Sequence, residues 1–288
     1  MTAASTDLSH LEARQVAAIR RALKSPKYEL IPLKNVLDQL AFLPPGSAVA
    51  VTASPSKGMA ATIDLSVELK QRGFEVIPHL SARLTTDRGE LVGILGRLDD
   101  AGIDKALVVG GDTNQPGEFV DGLSLLTAME EIGHGLVEIG VPAYPEGHPL
   151  IRDVVLQQAL EEKAPFTSYI TTQMCFVPDA ISSWVYRMRD AGVSHGVYIG
   201  VPGVADMSKL LQLSIRIGVG ESRRFLTKNK SLAGKLARPG GYSPDDLISG
   251  LGELMADPVA NILGFHVYTF NQVESTEQWR HEMLERLG

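Results

Sequence analysis

The chain has 288 residues, 44% of them hydrophobic and 21% charged, a composition that excludes a disordered chain and supplies one large core. Its formal net charge of −7 argues against nucleic acid as the main partner, because phosphate binding needs a basic face. A single cysteine, Cys175, excludes an intramolecular disulfide and any Cys-based zinc cluster. Thr2 to His10 is polar and contains Asp7, unlike a signal peptide, and no apolar run approaches the ~18 residues needed to span a bilayer. The expectation is a cytoplasmic enzyme without a membrane partner.

In chain order, an amphipathic stretch over Ser9–Lys24 predicts a helix that caps the bottom of the fold. Strands are then expected at Glu29–Leu33, Ala48–Ala53, Glu75–Ser81, Ala106–Gly111, Leu136–Tyr144, Tyr169–Phe176, Gly196–Val201 and Leu263–Phe270. Most are rich in Val, Ile or aromatic residues without strict polar alternation, as parallel strands covered on both faces require. Between them run helical patterns at Thr62–Arg72, Glu90–Ala101, Phe119–Ile132, Ile151–Lys163, Asp179–Ala191, Asp206–Ile217 and Asp245–Ala256. Ser243-Pro244-Asp245 is a start signal for the last, and Ala191-Gly192 a stop signal for an earlier one. Val219–Tyr242 is irregular. Eight such units predict a closed (β/α)₈ barrel, a TIM barrel, over residues 1–288 as one domain, with 1–27 a helical extension. A doubly wound sheet would place a Gly-rich phosphate loop after its first strand, whereas Pro32-Leu33-Lys34-Asn35 holds no glycine.

Active sites of such barrels lie at the C-terminal ends of the strands. Polar residues at or near those ends are Glu29, Thr52, His79, Asp112, the run Tyr144-Pro145-Glu146-Gly147-His148-Pro149, and Gln173. Glu29 is the most informative. An acid pointing into a barrel costs several kcal/mol unless it is paired or protonated, and a raised pKa is what a general acid requires. His10, His134, His195 and His281 show no ligand spacing, so no metal is expected. His266 and Tyr268 read as packing or rim residues and Cys175 as core. The segment Glu221–Arg238 carries six basic residues, either a solvated face or a guide for an anionic ligand.

Several segments in sequence carry a resemblance. Tyr28-Glu29-Leu30-Ile31-Pro32, Pro78-His79-Leu80-Ser81, Gly110-Gly111-Asp112, Ala143-Tyr144-Pro145-Glu146-Gly147-His148-Pro149, Thr171-Thr172-Gln173-Met174-Cys175-Phe176, Pro202-Gly203-Val204 and Gly264-Phe265-His266-Val267-Tyr268-Thr269-Phe270-Asn271 occur in that order on the expected strands. The chain resembles the methylenetetrahydrofolate reductases along nearly its whole length. The resemblance implies a reductase of 5,10-methylenetetrahydrofolate that uses NADH or NADPH. Glu29 would be the general acid. Asp112 would contact the pterin and stabilise the iminium cation, and Gln173 would hydrogen-bond the folate. Tyr144 and His148 occupy positions that contact flavin in the family; with Thr52 and His79 they form the expected cofactor-binding set, Tyr144 also facing substrate.

The departures bear on flavin. The family's flavoenzymes hold the FAD phosphates with an arginine before Gly-Asp and a basic patch on the helix after Tyr-Pro-Glu; here those places hold Gly110 and Glu161-Glu162. The expectation therefore leans to the flavin-independent branch, with the nicotinamide stacked directly on the pterin. An FAD enzyme with an altered site and a folate-binding barrel without catalysis are the alternatives.

Overall fold

The computed structural model of the chain describes residues 6–53, 57–148, 150–204 and 242–288. The helix expected at Asp206–Ile217, the basic segment Glu221–Arg238 and Pro149 lie outside them. Eight parallel strands, β1 (Lys27–Leu30), β2 (Ala48–Val51), β3 (Glu75–Ser81), β4 (Lys105–Val109), β5 (Glu138–Ala143), β6 (Tyr169–Thr172), β7 (Gly196–Pro202) and β8 (Ile262–Tyr268), pair in sequence order. β8 returns to β1, pairing Lys27 with His266 and Glu29 with Tyr268. The fold is the expected (β/α)₈ barrel.

Helices α1 (Ala13–Lys24), α2 (Gly58–Gln71), α3 (Arg88–Asp100), α4 (Gly122–Ile132), α5 (Asp153–Lys163) and α6 (Pro178–Asp190) follow the predicted stretches. Asp121 caps α4 by accepting the Ser124 N–H at 2.8 Å, so this helix starts three residues later than Phe119. The stretch Asp245–Ala256 is two short helices, α7 (Asp245–Gly250) and α8 (Gly252–Ala256), broken at Leu251. A C-terminal helix, α9 (Val273–Arg286), was not among the expected elements; it buries Val273, Thr276, Trp279 and Met283, a helical spacing. No helix among the described residues is long and apolar enough to cross a membrane.

The core is in two parts. The larger lies between the barrel and its helices and includes Leu30, Val49, Val51, Ile63, Val108, Val141 and Phe265. The smaller is inside the barrel: Ala50, Ile77, Leu107 and Tyr169. Alternation along the strands sends Tyr28, Leu30, Phe265 and Val267 outward and Lys27, Glu29, His266 and Tyr268 inward. Gly140 makes room for the Tyr169 ring, which would lie 2.3 Å from a Cβ there; Gly200 does the same for the Tyr268 ring at 2.8 Å. At the N-terminal end of the barrel, Lys105 bridges Glu75 at 3.0 Å and Glu138 at 3.1 Å.

Outside β1, Tyr28 donates its hydroxyl to Glu277, which also takes two 2.7 Å bonds from Arg280. Arg280 in turn donates to the Leu23 carbonyl at 3.1 Å, so one buried network ties β1, α1 and α9 together. Arg280→Ala leaves Glu277 charged and unpaired and is expected to cost about 3–5 kcal/mol in urea unfolding. A loss under 1 kcal/mol would mean that α9 docks by apolar contact alone.

Candidate active site

Glu29 sits at the third position of a four-residue strand, between the outward-facing Tyr28 and Leu30, so its carboxyl points into the barrel. The side chain is 12% exposed. His266 Nε2, from the neighbouring β8, lies 3.1 Å from Glu29 Oε2, and His79 Nε2, from β3, lies 3.9 Å from the same oxygen. Oε1 makes no hydrogen bond among the described residues, which leaves it as the oxygen open to a ligand. Thr269 Oγ1 donates to the Glu29 carbonyl at 2.6 Å and fixes the strand there.

Electrostatics follow from enclosure. Burial pushes the Glu29 carboxyl up to about 7, opposed by His79. Burial pushes the His79 imidazole down to about 4, with Glu29 opposing, and that of His266 down to about 3, helped by the positive charge of Lys27. Near neutrality the group is two neutral imidazoles around an acid poised to hold or give a proton. Tyr268 closes the arrangement: its hydroxyl donates to the Thr172 carbonyl at 3.1 Å and its ring meets His266 edge-on, centroids 5.0 Å apart.

Nearer the mouth stands a second group. Asp112 is exposed just beyond Gly111, and its charge acts on both Tyr144 and His148. Burial first and Asp112 second raise the Tyr144 phenol; burial lowers the His148 imidazole, with Asp112 opposing. The two rings meet edge-on at 5.0 Å, and His148 Nδ1 accepts the Leu150 N–H at 3.2 Å. Gln173 follows β6; its Oε1 accepts the Met174 N–H at 2.8 Å, so its amide nitrogen is left to donate to a ligand. Thr52 follows β2 and its carbonyl accepts from Thr62 Oγ1 at 3.0 Å.

One reading changes and one residue was missed. His266 is neither packing nor rim: it is 2% exposed inside the barrel and bonded to Glu29. The sequence signal was there, since His266 and Tyr268 alternate with the apolar Phe265 and Val267. Lys27 was passed over; it is 4% exposed, with Nζ over the Tyr169 and Tyr198 rings at 3.8 and 3.6 Å and burial pushing its amine down to about 8. Glu161 and Glu162 stand near the end of α5, whose last residue, Lys163, reaches toward Gly110: a Cβ on Gly122 would lie 3.9 Å from Lys163 Cδ and 4.0 Å from the Gly110 nitrogen. Both acids are exposed and accept from Gln157 and Gln158.

Glu29, His79 and His266 also offer three ligand atoms within 4.8 Å of one another, a donor set that metals accept, although no metal was expected. It escaped the search for spacing because its members come from three strands.

Glu29, protonated more readily in the folded chain, contributes stability that is fully present below its ordinary value of 4.5 and is lost as pH rises through about 7. The two imidazoles act oppositely: their contribution is present above 6.5 and lost as pH falls toward about 4 and about 3. Glu29→Gln, which cannot ionise, is therefore expected to gain about 2 kcal/mol relative to the parent between ~pH 5 and ~pH 8 in urea unfolding. A difference independent of pH would show that the carboxyl is not enclosed.

Among solved structures, a candidate lyase/mutase from Burkholderia cenocepacia matches with a TM-score of 0.48 at 14% identity, covering 93% of this chain and 84% of that one. Phosphonopyruvate hydrolase in complex with oxalate and Mg²⁺ matches with a TM-score of 0.44 at 10% identity, covering 95% and 86%. Likeness at that level bears on neither ligand nor chemistry. The sequence model of the family described as methylenetetrahydrofolate reductase matches residues 32–287, a span that begins just after Glu29 and takes in the remaining strands. The chain belongs to the methylenetetrahydrofolate reductase family.

Proposed function

We propose that the chain reduces 5,10-methylenetetrahydrofolate to 5-methyltetrahydrofolate with NADH or NADPH, by direct hydride transfer and without a bound flavin, as in the short flavin-independent branch. The observation that carries the reading is the enclosed Glu29, with one oxygen held by His266 and the other without a hydrogen bond among the described residues. In this reading Glu29 gives its proton to N10 of the folate. The five-membered ring opens to an iminium cation at N5, and a hydride from nicotinamide C4 adds to the methylene carbon. One proton and one hydride complete the two-electron reduction, leaving NAD(P)⁺ and an ionised Glu29 that is reprotonated from solvent. His266 supports the carboxylate in the interval.

Asp112 is assigned to the pterin and to the passing cation, which a carboxylate stabilises. Gln173, whose amide nitrogen makes no hydrogen bond among the described residues, is assigned to a pterin acceptor. Tyr144, His148, Thr52 and His79 are assigned to the space for the nicotinamide. Flavin phosphates fit poorly by the flavoenzymes' route: Gly110 stands where their arginine would, and a Cβ there would meet nothing within 4 Å. The place has room for a side chain and none fills it.

Glu29→Gln is expected to lower turnover by ~10²–10⁴-fold. The parent should give intersecting initial-rate lines and pass deuterium from 4-deuterated NADH into the product methyl group. Turnover within threefold of the parent would remove Glu29 from the mechanism. Parallel lines with stoichiometric flavin absorbance would favour the FAD enzyme, and folate binding without NADH oxidation the non-catalytic barrel. Activity lost on chelation and restored by a divalent metal would assign Glu29, His79 and His266 to that metal instead.

Gln173→Ala should weaken folate binding by about 1–3 kcal/mol and leave NADH binding nearly unchanged in separate titrations. Equal weakening of both would sink the assignment.

A further inference from the structure

We infer that the outer end of β3 and the turn after it form a track for the dinucleotide, with Ser81 and Arg83 binding its pyrophosphate. This rests on the reading of the chain as a nicotinamide-dependent reductase.

The primary observation is a pattern of missing partners. Six buried side-chain polar atoms among the described residues have no hydrogen-bond partner. Three of them, His79 Nε2, Ser81 Oγ and Arg83 Nε, fall on alternate residues of one strand and its continuation. Buried polar groups are normally satisfied, so each orphan needs a reason, and three within five residues point to a common ligand. The group starts beside Glu29: Ser81 follows His79 by ~7 Å along the strand, and the short 3-10 turn Ala82–Leu84 then carries Arg83 at the strand's outer end. A nicotinamide ring near His79 would therefore trail its ribose and phosphates past Ser81 toward Arg83.

The outer end is built to hold an anion. Ser81 Oγ would lie 2.2 Å from a Cβ on Gly111, and Arg83 Cβ 3.5 Å from it, so the two residues flank that glycine. Gly111 has φ +92, and its conformation and the close approach of Ser81 both exclude a side chain. The backbone of Arg83 is held from both directions: its N–H donates to the Gly110 carbonyl at 2.9 Å and its carbonyl accepts from the Gly117 N–H at 3.4 Å. Gly117 is pressed against the next turn, where a Cβ would come within 2.4 Å of the Thr85 and Thr86 carbonyls. Arg83 is half-buried and takes part in no ion pair among the described residues. An arginine on a backbone held in place, beside a hydroxyl and without an ion-pair partner among the described residues, suits a phosphate ester.

Glutamate carboxylates of a folate tail share that anionic chemistry, so the test separates the two. Affinities for NADH, ADP-ribose (pyrophosphate without nicotinamide), and mono- and triglutamyl 5-methyltetrahydrofolate are measured for the parent, Arg83→Met and Arg83→Lys. Arg83→Met keeps the apolar stem, and a thermal melt no lower than the parent's verifies its fold. The expected result is a ~10–100-fold loss for NADH and ADP-ribose in Arg83→Met, a smaller loss in Arg83→Lys, and folate affinities within threefold of the parent. Unchanged NADH and ADP-ribose affinities overturn the inference, as does a loss confined to the triglutamate. A melt well below the parent's in both variants also overturns it, since Arg83 would then serve the fold. A parent that binds no NADH, or that purifies with stoichiometric flavin, overturns the underlying reductase reading before Arg83 is changed.

Discussion

A carboxyl held inside a barrel with no cation bonded to it among the described residues is the constraint around which this interior is arranged. Ionising Glu29 there costs about 3 kcal/mol relative to water, given its rise from 4.5 to about 7. Pairing it with a lysine or arginine would remove that cost and also its proton near neutrality. The structure instead surrounds it with imidazoles that burial keeps neutral, and the buried amine of Lys27 faces tyrosine rings one layer down.

The interior is therefore layered by charge. Lys105 with Glu75 and Glu138 occupies the N-terminal end; Lys27, Tyr169, Ile77 and Leu107 fill the middle; Glu29, His79 and His266 lie above. The apolar part of this column is small, and the larger hydrophobic layer outside the strands carries the fold. That division lets the inside hold unsatisfied polar atoms, which a sole core could not tolerate.

Much of this was legible in the residues. Runs of Val and Ile located all eight strands, and β3 agrees end for end. Expected strands at Ala48–Ala53, Ala106–Gly111 and Tyr169–Phe176 overran at their C-terminal ends, because polar residues that leave the sheet to line the mouth still look like strand. At β1 the expected strand also began two residues late: Lys27 reads as a surface charge, and only the facing tyrosines of β6 and β7 account for its burial. Glu29 was visible as an acid among apolar neighbours, but its partner was not, since His266 lies 237 positions away and one sequence holds no register between β8 and β1. Arg83 carried no local signal, because an arginine in a turn is ordinary until its neighbours are seen to leave it unmatched.

The layers beneath Glu29 have a kinetic meaning. Tyrosine rings, Ile77 and Leu107 pack the column below the acid, so solvent reaches it most directly from the mouth. In the proposed reaction the folate stands in that path. A spent carboxylate would then wait for product to depart before it regains a proton, which ties the resetting of the acid to the emptying of the barrel.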